Sequence, residues 1–336
     1  MIDFIFTLDY EIYGQGYGNL KELVYEPSER LLELFSKYNQ EIVFFIEVAE
    51  LETIEKLTAD PTIRIIKNQI IKLKRLGFEL GLHIHPQWYG ARLEPDKWVL
   101  NFDQYNLCLL SADKIHELVN RALNYFRYLS DDSTFTPLSF RAGNWLMSPT
   151  ERITRVLADA GLKIDSSVYK GGYQHLFGLD YRRAPRHLYY WKFSDDVNTP
   201  DDNGFLTELP IYTKMVPICR FMTKRRLALE KKANEEPMIL KKRLTSRLRD
   251  FLRFYVPLKF DFCRLSLNEL KSMVNEIIKK DMESPSAYKP IVLIGHTKDA
   301  PDYQSIESFL IYLKEKGIGT TSLSQALKKI EAAETP

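Results

Sequence analysis

Two histidines one residue apart, His83-Ile84-His85, close a short apolar run at 78–85, FELGLHIH. On a strand, residues i and i+2 project from the same face, so both imidazoles reach one point. Imidazole nitrogens bind Zn²⁺ at about 2.0–2.1 Å, and catalytic zinc commonly takes three protein ligands and a water. Asp9 and Glu11 share the i, i+2 relation where the first apolar run ends, and either offers a carboxylate. A lone HxH is more often a pair of core or loop histidines than a ligand pair. Its co-occurrence with D-x-E at a second strand end favours the metal reading. Three more ionisable residues end apolar runs: Arg141 after LSF, Asp165 after GLKI, and His296 after PIVLIG. Alone, Arg141 reads as an ion-pair arginine and Asp165-Ser166-Ser167 as a turn or cap. His116, His175 and His187 fall in a helical pattern and in polar loops, and read as structural or surface residues.

These residues need a frame. Runs at 2–8, 41–48, 78–85, 138–141 and 290–295 read as strands. Between the second and third, Ile63, Ile66, Ile70 and Leu73 repeat with helical period over 62–76, with Asp60 placed to cap and Pro61 in the first turn. Ser148-Pro149-Thr150-Glu151 predicts a capped helix running towards Gly161, and Ser266-Leu267-Asn268-Glu269 predicts a later one. Residues 304–316 and 322–333 supply the last two helical patterns. Strands alternating with helices imply parallel βαβ units, and more than six of them imply a barrel or broken barrel. In such folds chemistry sits at the C-terminal ends of the strands, which is where the singled-out residues fall.

The chain has 336 residues, 47 Lys+Arg against 45 Asp+Glu, and a formal charge of +2, with 45% apolar and 27% charged residues. This is an ordinary globular balance, and it fits one domain over 1–336. It argues against a general nucleic-acid-binding protein. The three cysteines, Cys108, Cys219 and Cys263, are too scattered for a disulfide framework and suit a reducing compartment. The first residues, MIDFIFTLDYE, have no basic region, and no stretch approaches the roughly 20 apolar residues that span a bilayer. The expectation is a soluble, cytoplasmic protein. Charge is uneven, however: residues 220–259 carry 13 Lys+Arg and four acids, a local +9, leaving −7 for the rest. Pro237 splits that segment into two helical halves, the second with Leu240, Leu244, Leu248, Phe251, Leu252 and Tyr255 opposite the bases. It reads either as a helical hairpin with a solvated basic face or as peripheral contact with an anionic membrane. A third reading is recognition of a nucleotide- or lipid-diphosphate carrier by the arginines.

The motifs FTLDYE (6–11), ELGLHIHPQW (79–88), FRAGNW (140–145), LKIDSSV (162–168) and LIGHT (293–297) occur in this order over nearly 290 residues. Together they resemble the NodB-type polysaccharide deacetylases (carbohydrate esterase family 4), in the branch related to lipopolysaccharide-biosynthesis proteins. The resemblance implies an α/β fold, a distorted (β/α)₇ barrel, here with a basic helical insertion at about 220–259. It also implies removal of N-acetyl groups with one divalent metal ion, zinc first, with cobalt or nickel as alternatives. Carried over by motif, Asp9 resembles the general base and Glu11 the metal-binding acid. His83 and His85 resemble the metal histidines, Arg141 the arginine paired with the base, and His296 the general acid. Asp165 resembles the residue that orients His296. Asn144 and Trp145 of the arginine motif, with Trp88, are expected to contact substrate.

Three departures stand out. The family's first motif has two adjacent aspartates, whereas here Tyr10 intervenes and the second acid is Glu11, which leaves open which of Asp9 and Glu11 binds metal. The family's histidines stand four apart, here two, which makes His85 the less secure ligand. Gly143 replaces a common proline.

The chemistry these residue types support is amide or ester hydrolysis: a base for water, an acid for the departing amine, a cation for the carbonyl. Amidohydrolase barrels also use HxH, but on the first strand and with two further histidines, and only His296 is suitably placed here. A non-catalytic carbohydrate-binding relative and a hydrolase of a non-sugar amide, such as a ureide, are the other readings. Aromatic residues near the motifs suit sugar faces, and SVYKGGYQ (167–174) reads as a mobile mouth loop. The expected substrate is an N-acylated sugar of surface-polysaccharide synthesis, either nucleotide- or lipid-linked.

Overall fold

Strand β1 (Ile2–Tyr10) is buried along almost its whole length, on both faces, which is the signature of a central strand in a parallel sheet. It takes β2 (Ile42–Glu47) on one side and the long late strand Lys289–His296 on the other, both parallel. The computed structural model describes residues 1–95, 97–217, 254–285, 287–299 and 301–334. Its main sheet has nine strands. After β1 and β2 come β3 (Leu80–Ile84), β4 (Ser139–Ala142), β5 (Ile164–Asp165), β6 (Trp191–Phe193) and β7 (Leu206–Glu208). The last two are β8 (Lys289–His296) and β9 (Gly319–Thr320). The spatial order is β6-β7-β5-β4-β3-β2-β1-β8, with β9 also pairing β1, and every pair is parallel except β6–β7.

The sheet is curled. Ile211 forms isolated parallel bridges to Tyr169 and to Val292 of β8, and Asp261 forms another to Ile294. The Tyr212 N–H donates to the Val292 carbonyl at 2.9 Å, so short connecting segments draw the β5 side towards β8. Such a mixed α/β arrangement is compatible with a distorted barrel.

Helices α1 (Glu26–Lys37), α2 (Val48–Lys56), α3 (Ile63–Arg75), α4 (Ala112–Leu129) and α5 (Thr154–Asp159) fall between successive strands. Helix α6 (Leu267–Glu283) precedes β8, α7 (Tyr303–Glu315) follows it, and α8 (Leu323–Glu334) follows β9. The α3 stripe is the one its periodicity predicts: Ile63, Ile66, Ile70 and Leu73 are buried. Phe6 of β1 meets Phe35 of α1, Phe262 and Phe309 of α7 edge-on at 5.0, 5.2 and 6.1 Å, an aromatic core between sheet and helices.

Several boundaries differ from expectation. The Asp60 carboxylate accepts from the Thr62 and Leu20 N–H groups, in a turn that precedes α3, so Thr62 rather than Asp60 is the residue before the helix. The box at 148–151 forms no cap. Thr150 donates to the Met147 carbonyl and accepts from the Val197 N–H, which ties that turn to another loop, and α5 begins only at Thr154. Ser266 and Glu269, by contrast, form the predicted capping box on α6. The basic segment lies outside the described residues up to 253. Its end, Tyr255–Lys259, is a strand paired antiparallel with Thr213–Pro217, not a continuation of a helix. Among the described residues no helix is long and apolar enough to cross a membrane.

Candidate active site

His83 and His85 rise from the C-terminal end of β3 and are both buried, with ring centroids 4.8 Å apart. His83 Nδ1 lies 2.7 Å from the Arg141 carbonyl oxygen. A carbonyl only accepts, so Nδ1 carries a proton and in the neutral ring Nε2 is the lone pair. Burial opposes the imidazolium, but Glu11 and Asp9 push the His83 pKa up to about 9, so a cation at Nε2 would take the place of a proton. That Nε2 is buried with no hydrogen-bond partner. It stands 3.5 Å from Glu11 Oε2, and His85 Nε2 stands 2.9 Å from the same oxygen. Glu11 Oε1 accepts from Lys298 Nζ at 2.6 Å. Burial alone would raise the Glu11 carboxyl, but Lys298 and the two imidazoles hold it well below the usual carboxylate range.

His85 Nδ1 faces the side-chain amides of Gln87 at 3.0 Å and Asn144 at 3.2 Å. Gln87 Oε1 is itself buried without a donor. As placed, both amides turn N–H groups to Nδ1, which leaves the His85 ring proton on Nε2, 2.9 Å from Glu11 Oε2. The opposite ring state, with Nε2 bare for a metal, requires both amides to turn over. Gly143 packs behind this pair. A Cβ there would lie 2.5 Å from the Ile84 carbonyl oxygen and 2.9 Å from His85 Cγ, so the residue replacing the common proline is one that the close approach demands.

Asp9 belongs to a second group. Parallel pairing of β1 with β8 sets it directly opposite His296. Its Oδ1 accepts from Arg141 Nη1 at 2.6 Å, and its Oδ2 lies 3.4 Å from His296 Nε2. Burial pushes the Asp9 carboxyl up, yet Arg141, with His83 and His296, brings it below the ordinary value. Arg141 is fully buried and further donates to Thr7 Oγ1, Ser166 Oγ and the Ser166 carbonyl, with its guanidinium 4.1 Å from the Phe45 ring centroid. Thus Glu11 faces the two histidines, while Asp9 is turned to Arg141 and His296.

The partner of His296 is not Asp165. His296 Nδ1 lies 3.2 Å from Asp299 Oδ2, and Asp299 is held in turn by two bonds from Arg264, at 2.7 and 2.8 Å. Burial opposes ionisation of Asp299, but Arg264 and His296 keep its carboxyl far below the normal range. Asp165 sits across from Glu208 on the neighbouring strand β7 and accepts from Ser167 Oγ at 2.6 Å. Both carboxyls are raised, chiefly by burial, and Asp165 Oδ2 and Glu208 Oε2 are each buried without a donor. One shared proton satisfies both oxygens.

Asp9, Glu11, His83, His85, His296, Lys298 and Arg264 form the floor of a cavity of about 460 Å³. Its wall includes Tyr13, Phe102, Tyr105, Asn144, Trp145 and Phe177. Trp145 meets the His296 ring edge-on at 5.7 Å, and Tyr105 and Phe177 lie 4.4 Å apart at the mouth. Trp88 is not part of the wall: it is fully buried, edge-on to Trp98 at 5.0 Å, because the turn Pro86–Gly90 folds it into the core. Nor do 167–174 line the mouth. Val168 and Tyr169 are buried, and Tyr173–Gln174 pairs with Leu179–Asp180, which brings Leu176 and Phe177 to the opening instead.

Four residues on or beneath this floor carry no motif that marks them in the sequence. Glu47 ends β2, Lys298 and Asp299 follow His296 within three positions, and the strand-end rule points near all three. Arg264, in a segment between elements, has no such signal.

Two imidazole nitrogens beside one or two carboxylates, in a buried pocket open to a cavity, form a donor set that suits a divalent cation such as zinc. No protein-family model matches the chain, and no curated protein sequence does either. Solved structures do. A protein described as a polysaccharide deacetylase, from Mycobacterium smegmatis, superposes with a TM-score of 0.54 at 13% identity, over 100% of this chain and 92% of that one. PuuE allantoinase gives the same TM-score, identity and coverage. A 4-alpha-glucanotransferase from Thermococcus litoralis gives 0.52 at 14% identity, over 97% of this chain and 38% of that one. At these identities the likeness is one of fold: the chain has the curled α/β fold on which these three differently described proteins are built.

Proposed function

We propose that this chain is a metal-dependent hydrolase that removes an N-acetyl or related acyl group from a sugar. The observation that carries the reading is the pairing of two groups on one buried floor: Glu11 with His83 and His85, and Asp9 with Arg141 beside His296 with Asp299. A divalent ion held by Glu11, His83 and His85, zinc before cobalt or nickel, would supply Lewis-acid polarisation of the acyl carbonyl and a water of lowered pKa.

The chain's own residues do the rest. Asp9, kept ionised and aimed by Arg141, takes the proton of the attacking water through Oδ2, the oxygen that faces His296 and not the guanidinium. His296 hands a proton from Nε2 to the departing amine, and the Asp299 carboxylate, 3.2 Å from Nδ1, favours its charged form. Lys298 holds Glu11 from behind and keeps it anionic. Trp145, Tyr105 and Phe177 offer flat apolar faces for a pyranose ring, and Asn144 a polar edge near His85.

A distorted (β/α)₇ barrel of the polysaccharide-deacetylase type, in one domain with a basic insertion, is the finer architecture this function implies. The substrate we favour is an N-acylated sugar of surface-polysaccharide synthesis on a nucleotide or lipid carrier. A cytoplasmic location would put residues 220–259 within reach of the carrier's diphosphate or of an anionic membrane face. The equal likeness to an allantoinase favours a second substrate class, a non-sugar amide.

Acetate release separates these readings. The chain loaded with Zn²⁺ should liberate acetate from N-acetylated hexosamine derivatives, stop after dialysis against chelator, and recover on adding metal. Ammonia or ureide products without acetate would favour the second class, and no product from either would overturn the hydrolase reading.

A further inference from the structure

Glu47 is the last residue of β2, and its register partner on β3 is His83, so its side chain joins the same inward row as the histidine. It is fully buried. One of its oxygens caps a helix. Oε1 accepts from the Ala49 N–H at 3.0 Å and the Glu50 N–H at 3.2 Å, at the start of α2. Two bonds to a rigid helix end fix the plane of the carboxylate and leave the second oxygen no freedom to turn away. Among the described residues that buried oxygen, Oε2, has no donor in hydrogen-bonding geometry, though the His85 backbone N–H lies nearby.

The surroundings of Oε2 supply what it lacks. Ligand atoms of Glu47, Glu11, His83 and His85 all lie within 4.8 Å of one another. Among the described residues His83 Nε2 also lacks a hydrogen-bond partner, the nearest candidate being Glu11 Oε2 at 3.5 Å. Buried acceptors this close in a dry pocket are unfavourable unless a proton or a cation lies between them. Burial pushes the Glu47 carboxyl up to about 8, so without a cation it holds the proton that a metal would displace. Lys298 does not serve, since its ammonium is bonded to Glu11 Oε1 and the Ile12 carbonyl on the other side of Glu11. A helix cap alone needs only one carboxylate oxygen, and Asn, Ser or Thr would cap without placing charge beside Glu11.

Resting on the metal reading above, we propose that Glu47 Oε2 is a fourth protein ligand, which makes the centre a two-histidine, two-carboxylate site with its second carboxylate pre-oriented by the N-terminus of α2. The cap then serves as the supporting shell of a ligand. A divalent cation is the chemical class that such a hard-and-borderline donor set takes. The charge balance also changes: two carboxylates neutralise the ion fully before Asp9 is counted, which leaves Asp9 to Arg141 and His296.

Glu47→Gln is the discriminating variant, because the amide keeps the volume and the oxygen that caps α2 while removing the anionic donor. Metal affinity is read by competition of Zn²⁺ with a chromophoric chelator, and coordination by the visible absorption of the Co²⁺ form. The expected result is a Zn²⁺ affinity lower by at least roughly 10- to 100-fold, with a changed Co²⁺ spectrum and an unfolding midpoint close to that of the parent chain measured without metal. Equal Zn²⁺ affinity and an identical Co²⁺ spectrum in parent and variant would overturn the assignment and reduce Glu47 to a cap. A parent chain that takes up neither metal would instead remove the metal reading itself, and this proposal with it.

Discussion

An Arg141→Met chain should lose roughly 3–5 kcal/mol of folding stability, the range for breaking a buried ion pair by deleting one partner. Methionine fills much of the volume and keeps contact with Phe45, so the loss reports on charge rather than on a cavity. What remains is Asp9, buried, with its Oδ1 stripped of its strongest donor, together with Thr7 Oγ1 and the Ser166 carbonyl and hydroxyl deprived of theirs. The Asp9 carboxyl, now low because of the guanidinium, would rise, since burial then acts with only the imidazoles opposing it. Equilibrium unfolding in urea checks this: the midpoint should fall sharply with the slope unchanged. Adding Asp9→Asn should recover part of the loss, because the stranded charge is gone. A single-variant change below about 1 kcal/mol would mean that the pair is far weaker than a buried pair should be.

The second large effect is on rate. His296→Gln should slow acetate release by roughly 10²–10⁴, the usual contribution of a positioned acid or base. Zn²⁺ affinity should stay near that of the parent if the ion sits on Glu11, His83 and His85, because His296 stands with Asp9 and Asp299. Ligand atoms of Asp9, Glu11 and His296 also lie within 4.8 Å of one another, so a large loss of Zn²⁺ would make His296 a ligand rather than the acid. The loss should fall on kcat, since protonation of the amine occurs after substrate binds. Steady-state kinetics with a metal titration on the same preparation separates the two quantities. A variant within about tenfold of the parent rate would remove His296 from the acid role and leave Asp9 as the group that both takes and returns the proton.

Residue type and strand-end position are enough to locate most of this floor without coordinates. β1, β2, β3, β4 and β8 are short apolar runs with ionisable residues at or just beyond their ends. Parallel pairing sets Asp9 opposite His296 and, two residues further along the sheet, His83 between Glu47 and Arg141. What periodicity does not encode is the partner chosen by a turn. Asp299 reaches His296 because the single turn Thr297–Asp299 bends back after β8, whereas Asp165 lies across a strand pair from Glu208 and is occupied there. Trp88 follows the histidines in sequence, but its turn carries it inward against Trp98. Glu47 is hidden for a different reason: a strand-final glutamate before a helix reads as a cap, and one of its oxygens is a cap. The aromatic wall comes from loops around residues 102–105, 145 and 177, which only long-range packing assembles.

Everything proposed for the mechanism turns on one claim, that Glu11, His83 and His85 hold a divalent ion on which the hydrolysis depends. Its most direct measurement is the metal content of the purified chain after saturation with Zn²⁺ and removal of excess, for the parent and for His83→Ala. His83 is the better probe of the two histidines because the Arg141 carbonyl fixes its Nδ1–H, which makes Nε2 the nitrogen that a metal would take in place of a proton. The expected result is one equivalent of zinc in the parent and essentially none in the variant. A parent chain that retains no zinc, or a variant that retains a full equivalent, would contradict the claim.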